Sequence, residues 1–161
     1  MRTIRPVLAC LVVLFALASC KSKETAPTPD KNKIAFEVSE AEYVRIINAR
    51  ATETRTFEIK DIKRENNILK IWVKGGCDKN NYTVVWDGLM RKSYPLTIFL
   101  VVKFDRSIGM ECMAELDHVL EIDLKEKLGE FYENNEFYIQ LSNGSKVFDK
   151  VIDPKGIVSN K

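Results

Sequence analysis

Four groups of residues have the types and spacing to do chemistry, and each also has a plainer reading. His118 is the only histidine and follows Asp117 at the entrance to "HVLEIDL". A nucleophilic enzyme using it would need a serine or free cysteine brought beside it. The chain carries no nucleophile elbow, so an ordinary strand-edge histidine is the simpler expectation. Glu111 with Glu115, and Glu121 with Asp123, are spaced for one face of a helix or strand, as the paired carboxylates of a hydrolase would be. Surface charge accounts for them equally well. Gly75-Gly76 lacks the GxxxxGK[ST] pattern and the following helix of a phosphate loop, and reads as glycine freeing the backbone to turn or bulge at a strand end. Asp78-Lys79-Asn80-Asn81 offers oxygens to calcium without the alternating acids and final glutamate of an EF-hand, which leaves a solvated turn. No metal site and no cofactor is expected.

The elements that would position these residues have a period of two. Leu69, Ile71 and Val73 alternate with Lys70, Trp72 and Lys74; "YTVVWDG" and "HVLEIDL" repeat the alternation, and "PLTIFLVVKF" is apolar on both faces. Further strands are expected near 34–38, 42–50 and 55–63. A final hairpin is expected over "EFYIQLSNGSKVFDKVI", with Asn143-Gly144 as a two-residue type I′ turn. Only "LKEKLGEFYEN", 124–134, has helical spacing, through Leu124, Leu128 and Phe131, and Gly129 interrupts it. Many short strands divided by turn signals predict an all-β domain. The preferred form is an antiparallel immunoglobulin-like sandwich, with a small β-barrel as the alternative.

The N-terminus reads in three zones: Arg2 and Arg5, an apolar run from Val7 to Ala18, and small residues approaching Cys20. That is an export signal. The run falls short of the roughly 20 apolar residues of a membrane span, and Lys21 and Lys23 end it. Leu17-Ala18-Ser19-Cys20 resembles the lipobox of bacterial lipoproteins. The resemblance implies diacylglycerol on the Cys20 sulfur, cleavage before Cys20 and acylation of the new amine. One acyl chain holds a protein only marginally, at about 0.8 kcal/mol per buried methylene, whereas several chains on one residue make a lasting anchor.

The expected organisation is therefore a signal peptide over 1–19, a lipidated cysteine and flexible tether over 20–33, and one β domain over 34–161. The tether "KSKETAPTPDKNK" holds no aromatic and no large aliphatic residue, so it has nothing with which to offset the entropy of ordering. Of the chain's 25 basic residues, two lie in the first 19; the remaining 23 face 23 acidic ones. A balanced charge without a basic patch gives no footing for nucleic-acid binding.

Of the four cysteines, Cys10 leaves with the signal and Cys20 takes the lipid, which leaves Cys77 and Cys112 in an oxidising compartment. A disulfide between them would stabilise the domain by about 3–4 kcal/mol on the chain-entropy estimate. A metal ligand or reactive thiol is the rival reading, and the absence of CxxC and the single histidine count against it.

"ILKIWVKGGCDKNNYTVVWDG" and "YPLTIFLVVKFDRSIGMECMAELDHVLEIDL" together resemble a group of Bacteroidota lipoproteins over about residues 65–142. The shared features are Gly-Gly-Cys after one strand, an apolar strand after a proline, and a second cysteine before a "DL" strand end. In that group a histidine often stands three residues after the first cysteine; here the position is Asn80. An acidic run just after the lipidated cysteine accompanies surface display in such lipoproteins. Its absence here implies a periplasm-facing position, and the outer membrane is the expected site of the anchor.

Two functions of different class follow. One is a non-catalytic binding, accessory or inhibitor module, tethered to the membrane by its lipid and presenting loops to a cell-envelope protein or glycan. The other is a periplasmic hydrolase using carboxylates. The binding reading places contacts on the loops flanking the cysteine pair: Asp78, Lys79, Asn80, Asn81 and Tyr82 on one side, and Arg106, Met110 and Met113 on the other.

Overall fold

A computed structural model describes residues 34–92, 94–105, 116–133 and 136–161. Cys20, Arg106, Met110, Cys112 and Met113, and the pair Glu111 and Glu115, lie outside the described residues. Two sheets face each other. The larger orders its strands β1 (Ala35–Val38), β4 (Tyr82–Arg91), β5 (Thr97–Phe104), β7 (Tyr138–Asn143), β8 (Asp149–Ile152) and β9 (Val158–Asn160). The smaller orders β2 (Glu58–Glu65), β3 (Ile68–Lys74) and β6 (Asp117–Asp123). The expected all-β sandwich is what forms, and the sheets do not close into a barrel.

The alternation seen in the sequence sets the inner faces. Ile62, Leu69, Ile71, Val73, Leu120 and Ile122 of the small sheet meet Val84, Trp86, Leu100, Val102, Ile139 and Leu141 of the large one in a single buried cluster. "PLTIFLVVKF" is apolar on both faces because its strand is covered on both. Leu100 and Val102 face the small sheet, while Val101 and Phe99 lie under a helix.

That helix, α1 (Glu40–Ala49), stands where a strand over 42–50 was expected. Tyr43 and Ile46 are buried against Val85 and Val101, at helical spacing. Its start is fixed by Ser39, whose Oγ accepts from the Glu42 amide at 3.2 Å. The β-branched Val44, Ile46 and Ile47 imitate a strand, but this cap and the unclothed outer face of β4 and β5 outweigh local propensity.

The large sheet is mixed, where an antiparallel one was expected: β1 pairs with β4 in parallel, and β5 with β7. Parallel neighbours need long crossovers. Each pair has one, since the chain visits the small sheet between Val38 and Tyr82, and again between Phe104 and Tyr138. The expected final hairpin forms, β7 with β8, but its loop is longer, closed by the Asn143 amide donating to the Phe148 carbonyl at 3.0 Å; the two-residue turn lies at Asn66-Asn67 instead. Glu65 pairs with Ile68, and Asn66 takes φ 54°, which asparagine tolerates. Residues 124–133 of the expected helical stretch form two short helices, α2 (Leu124–Leu128) and α3 (Glu130–Glu133), broken at Gly129 as its position suggests.

Asn143 and Gly144 instead make a buried junction. The Gly144 amide donates to the Val102 carbonyl at 2.9 Å. The Asn143 side chain donates to the Phe57 carbonyl at 3.1 Å and accepts from the Ser145 amide at 2.7 Å, while the Phe57 amide donates to Ser145 Oγ at 3.0 Å. These bonds tie the entrance of β2 to the end of β7 and satisfy polar groups that burial would otherwise penalise.

Candidate functional site

Strand register gives the sandwich two distinct poles. Ala35 lies opposite Thr83 and Tyr82 opposite Phe104, so the chain enters at the pole holding Gly75, Gly76 and Cys77. Arg91 lies opposite Thr97 and Thr97 beside Tyr138, so the starts of β5 and β7 occupy the other pole.

The first pole contains the glycine pair and half of the expected contact loops. Gly75 and Gly76 have φ 144° and 64°, and a Cβ on Gly76 would sit 2.5 Å from Cζ of Phe104. Glycine is therefore required by an aromatic cluster pressing on the strand end. The Tyr82 ring lies 4.8 Å from that of Phe104 and 5.4 Å from that of Phe57, centroid to centroid. Tyr82 is fully buried and its hydroxyl donates to the Gly75 carbonyl at 2.6 Å, so it belongs to the core and offers no contact surface. Asp78 caps a 3-10 turn over Lys79–Asn81, accepting from the Asn80 amide at 2.9 Å. That bond holds its carboxyl below the usual range. Cys77, Asp78 and Asn80 are exposed, Lys79 and Asn81 half-buried. The Asp105 amide donates to the Asn81 carbonyl at 2.7 Å, binding this turn to the end of β5.

His118 lies on edge strand β6 with its ring turned inward, 6.1 Å from that of Tyr82, and its buried Nε2 has no hydrogen-bond partner among the described residues. Among the described residues no group of three or more His, Cys, Asp or Glu side chains converges on a metal position. Glu121 lies 3.7 Å from Lys70. Asp123 accepts from Asn67 Nδ2 at 2.9 Å and caps α2 through the Glu126 amide at 3.1 Å; the Asn67 bond is the main cause of its lowered pKa. Asp123 thus joins the β2–β3 turn to α2, while Glu121 makes a long, exposed ion pair with Lys70.

The opposite pole carries a groove that the sequence reading did not single out. It is an open depression of about 720 Å³ bordered by Tyr94, Pro95, Leu96, Tyr138, Pro154 and Ile157, with Glu136, Asp153 and Lys155 at its margin. Such a volume suits a ligand or a peptide segment. Its frame is made of main-chain bonds: the Tyr138 amide donates to the Leu96 carbonyl at 2.8 Å and the Asp153 amide to the Ile157 carbonyl at 3.0 Å. Asp153 Oδ1 accepts from the amides of Lys155 and Ile157, at 2.8 Å each, shaping the turn between β8 and β9. Gly156 lets that turn lie on β2, since a Cβ there would be 2.4 Å from the Arg64 carbonyl oxygen. Arg64 is itself buried, donates to the Phe137 carbonyl at 2.9 Å and covers the Phe137 ring at 4.7 Å. Three distant segments, 94–96, 136–138 and 153–157, meet only because β5 and β7 pair in parallel. No local motif announces such a site.

Charged groups elsewhere bind α1 to the sheet. Glu42 accepts from Arg45 Nε at 2.6 Å and from Lys103 Nζ at 2.9 Å. The Arg45 guanidinium first, and Lys103 after it, lower its pKa from 4.5 to about 2. A depressed acid stabilises the fold above its unfolded pKa and loses that contribution as pH falls through the folded value. Glu42→Gln is therefore expected to lower stability at neutral pH, with the difference from wild type closing between pH 4.5 and about 2. Urea denaturation across that range measures it, and a gap that stays constant would remove Glu42 from the acid response.

No helix among the described residues is long and apolar enough to cross a membrane. No protein-family model, no curated protein and no solved structure matches the chain.

Proposed function

We propose that this chain is a bacterial lipoprotein, held in the cell envelope by lipid on Cys20 and acting as a non-catalytic binding module for an envelope protein or glycan. The observation that carries the binding reading is the framed groove, which lies at the pole away from Ile34, where the tether joins the domain. An anchor at one pole leaves the other free to meet a partner. The outer membrane, with the domain facing the periplasm, is the proposed location.

A Cys77–Cys112 disulfide belongs to the same reading. Cys77 is not a free thiol. Leu116 exchanges main-chain hydrogen bonds with Gly75 and Gly76, at 3.1 and 3.2 Å, one residue before Cys77. Cys112 is four residues from Leu116, a distance that extended chain spans in at most about 14 Å.

Intact-mass measurement of protein extracted from its own membranes tests both features. The expected mass lacks 1–19, gains the lipid, and is lower by two hydrogens than the reduced chain. Cys20→Ser is expected to extract without detergent. Retention of that variant in the membrane fraction, at wild-type level, would refute the anchor.

A further inference from the structure

We infer that the groove at the pole opposite the tether takes an extended, proline-containing peptide segment that carries a basic side chain. This deepens the binding-module reading, but it concerns the groove alone and holds whether or not Cys20 is lipidated.

The walls set the ligand's shape. Tyr94 is fully exposed, at 104% of its reference area, and Ile157 is 65% exposed. With Pro95, Leu96, Tyr138 and Pro154 they form an aromatic and aliphatic trough. Two of its walls are proline, whose side chain has little freedom to lose on contact, so ordering costs on the protein side are small.

Leu96 and Thr97 already pair with Tyr138, so a ligand cannot enter as a strand between β5 and β7. At that wall recognition falls to the side chains of Tyr94, Pro95 and Tyr138. A polyproline helix suits that requirement: it makes no internal ladder, is preformed in solution, and docks on aromatic-lined grooves.

The polar groups at the margin are three charged side chains, Glu136, Asp153 and Lys155. The nearby Thr97 hydroxyl is already bonded to the Pro95 carbonyl at 3.0 Å, and Asp153 Oδ1 is held by two amides. The balance of charge names the ligand's sign. Glu136 and Asp153 outnumber Lys155, so a cationic side chain is favoured over an anionic one.

The full chain in detergent, titrated into a fluorescein-labelled nonapeptide of alanine and proline with one central lysine, tests the inference. Its twin carries glutamate in place of the lysine. The lysine peptide is expected to saturate at micromolar to millimolar protein, and the glutamate twin to bind about 10-fold more weakly. Tyr94→Ala should weaken the lysine peptide by about 10-fold with an unchanged melting curve, as loss of a central aromatic anchor does. Glu136→Lys should invert the preference between twins. The absence of saturable binding by the lysine peptide at millimolar protein overturns the inference, as does wild-type affinity in a folded Tyr94→Ala variant. An N-acetylglucosamine oligomer that displaces the lysine peptide and itself depends on Tyr94 would reassign the groove to glycan. Membrane retention of the Cys20→Ser variant, by contrast, leaves the groove untouched and removes only the anchor.

Discussion

Gly144→Ala is expected to destabilise the domain by about 2–4 kcal/mol, the range of an overpacked core site that must also displace main chain. The added Cβ would fall 2.6 Å from the Val102 carbonyl oxygen and 2.8 Å from Cγ2 of Ile46. Ile46 could move only by lifting α1 from Val85 and Val101. Val102 could move only by loosening β5 from β7, and with it the 2.9 Å bond from the Gly144 amide. The φ of Gly144 lies outside the left-handed region, so the cost is steric, not conformational. Urea denaturation should show a lower midpoint with an unchanged slope. A loss below about 1 kcal/mol would mean that the three elements yield more easily than their hydrogen bonds and packing imply.

The second large effect lies where α1 ends. Arg50 donates to both carboxylate oxygens of Asp149, at 2.6 and 3.0 Å, and the Ser142 hydroxyl donates to Asp149 Oδ1 at 2.5 Å. Ser142 is fully buried, and the Arg50 and Asp149 side chains are 14% and 20% exposed. The Arg50 guanidinium holds the Asp149 carboxyl below its usual range, so the network stabilises the fold at neutral pH and weakens as acid protonates Asp149. Asp149→Ala leaves a largely buried guanidinium and a buried hydroxyl without their acceptor. About 2–4 kcal/mol is expected, somewhat below a wholly buried pair because water reaches part of the site. Replacing Arg50 and Asp149 together by Met and Leu should recover much of that loss, since no charge is then stranded. Thermal melts of the single and double variants at neutral pH decide it. A double variant as unstable as the single one would show that the fold needs the charges themselves.

Period-two patterning found most strands because each has one face on the shared core: Leu69, Ile71 and Val73 on β3, Leu120 and Ile122 on β6. It failed at α1, where Val44, Ile46 and Ile47 looked like a strand. The correcting signal was present: Ser39 with Glu42 three residues on is the start of a helical cap, and Tyr43 with Ile46 has helical spacing. It failed again at Asn143-Gly144, because the same dipeptide serves a tight turn or a buried junction, and only tertiary neighbours such as Val102 and Phe57 choose between them. Parallel pairing was illegible for a related reason, since register between strands separated by a whole second sheet leaves no local mark. The groove inherits that illegibility. Its residues are ordinary in sequence and become a site only when β5 and β7 lie side by side. Asp78 to Asn81 could be read as a turn from composition alone, whereas the burial of Tyr82 required the opposing Phe57 and Phe104.

Strand β1 has a mechanical consequence. It is four residues long, mostly exposed and, among the described residues, bonded to β4 alone through four residue pairs running in the same direction. A load drawn between Ile34 and the far groove runs along the strand axes, at right angles to the hydrogen bonds that join β1 to β4. Such a load shears all four pairs together and cannot peel them one after another. An edge strand that contributes little to equilibrium stability thus becomes the fastening that resists tension, and α1, clamped through Arg50 and Asp149, takes up the strain immediately behind it.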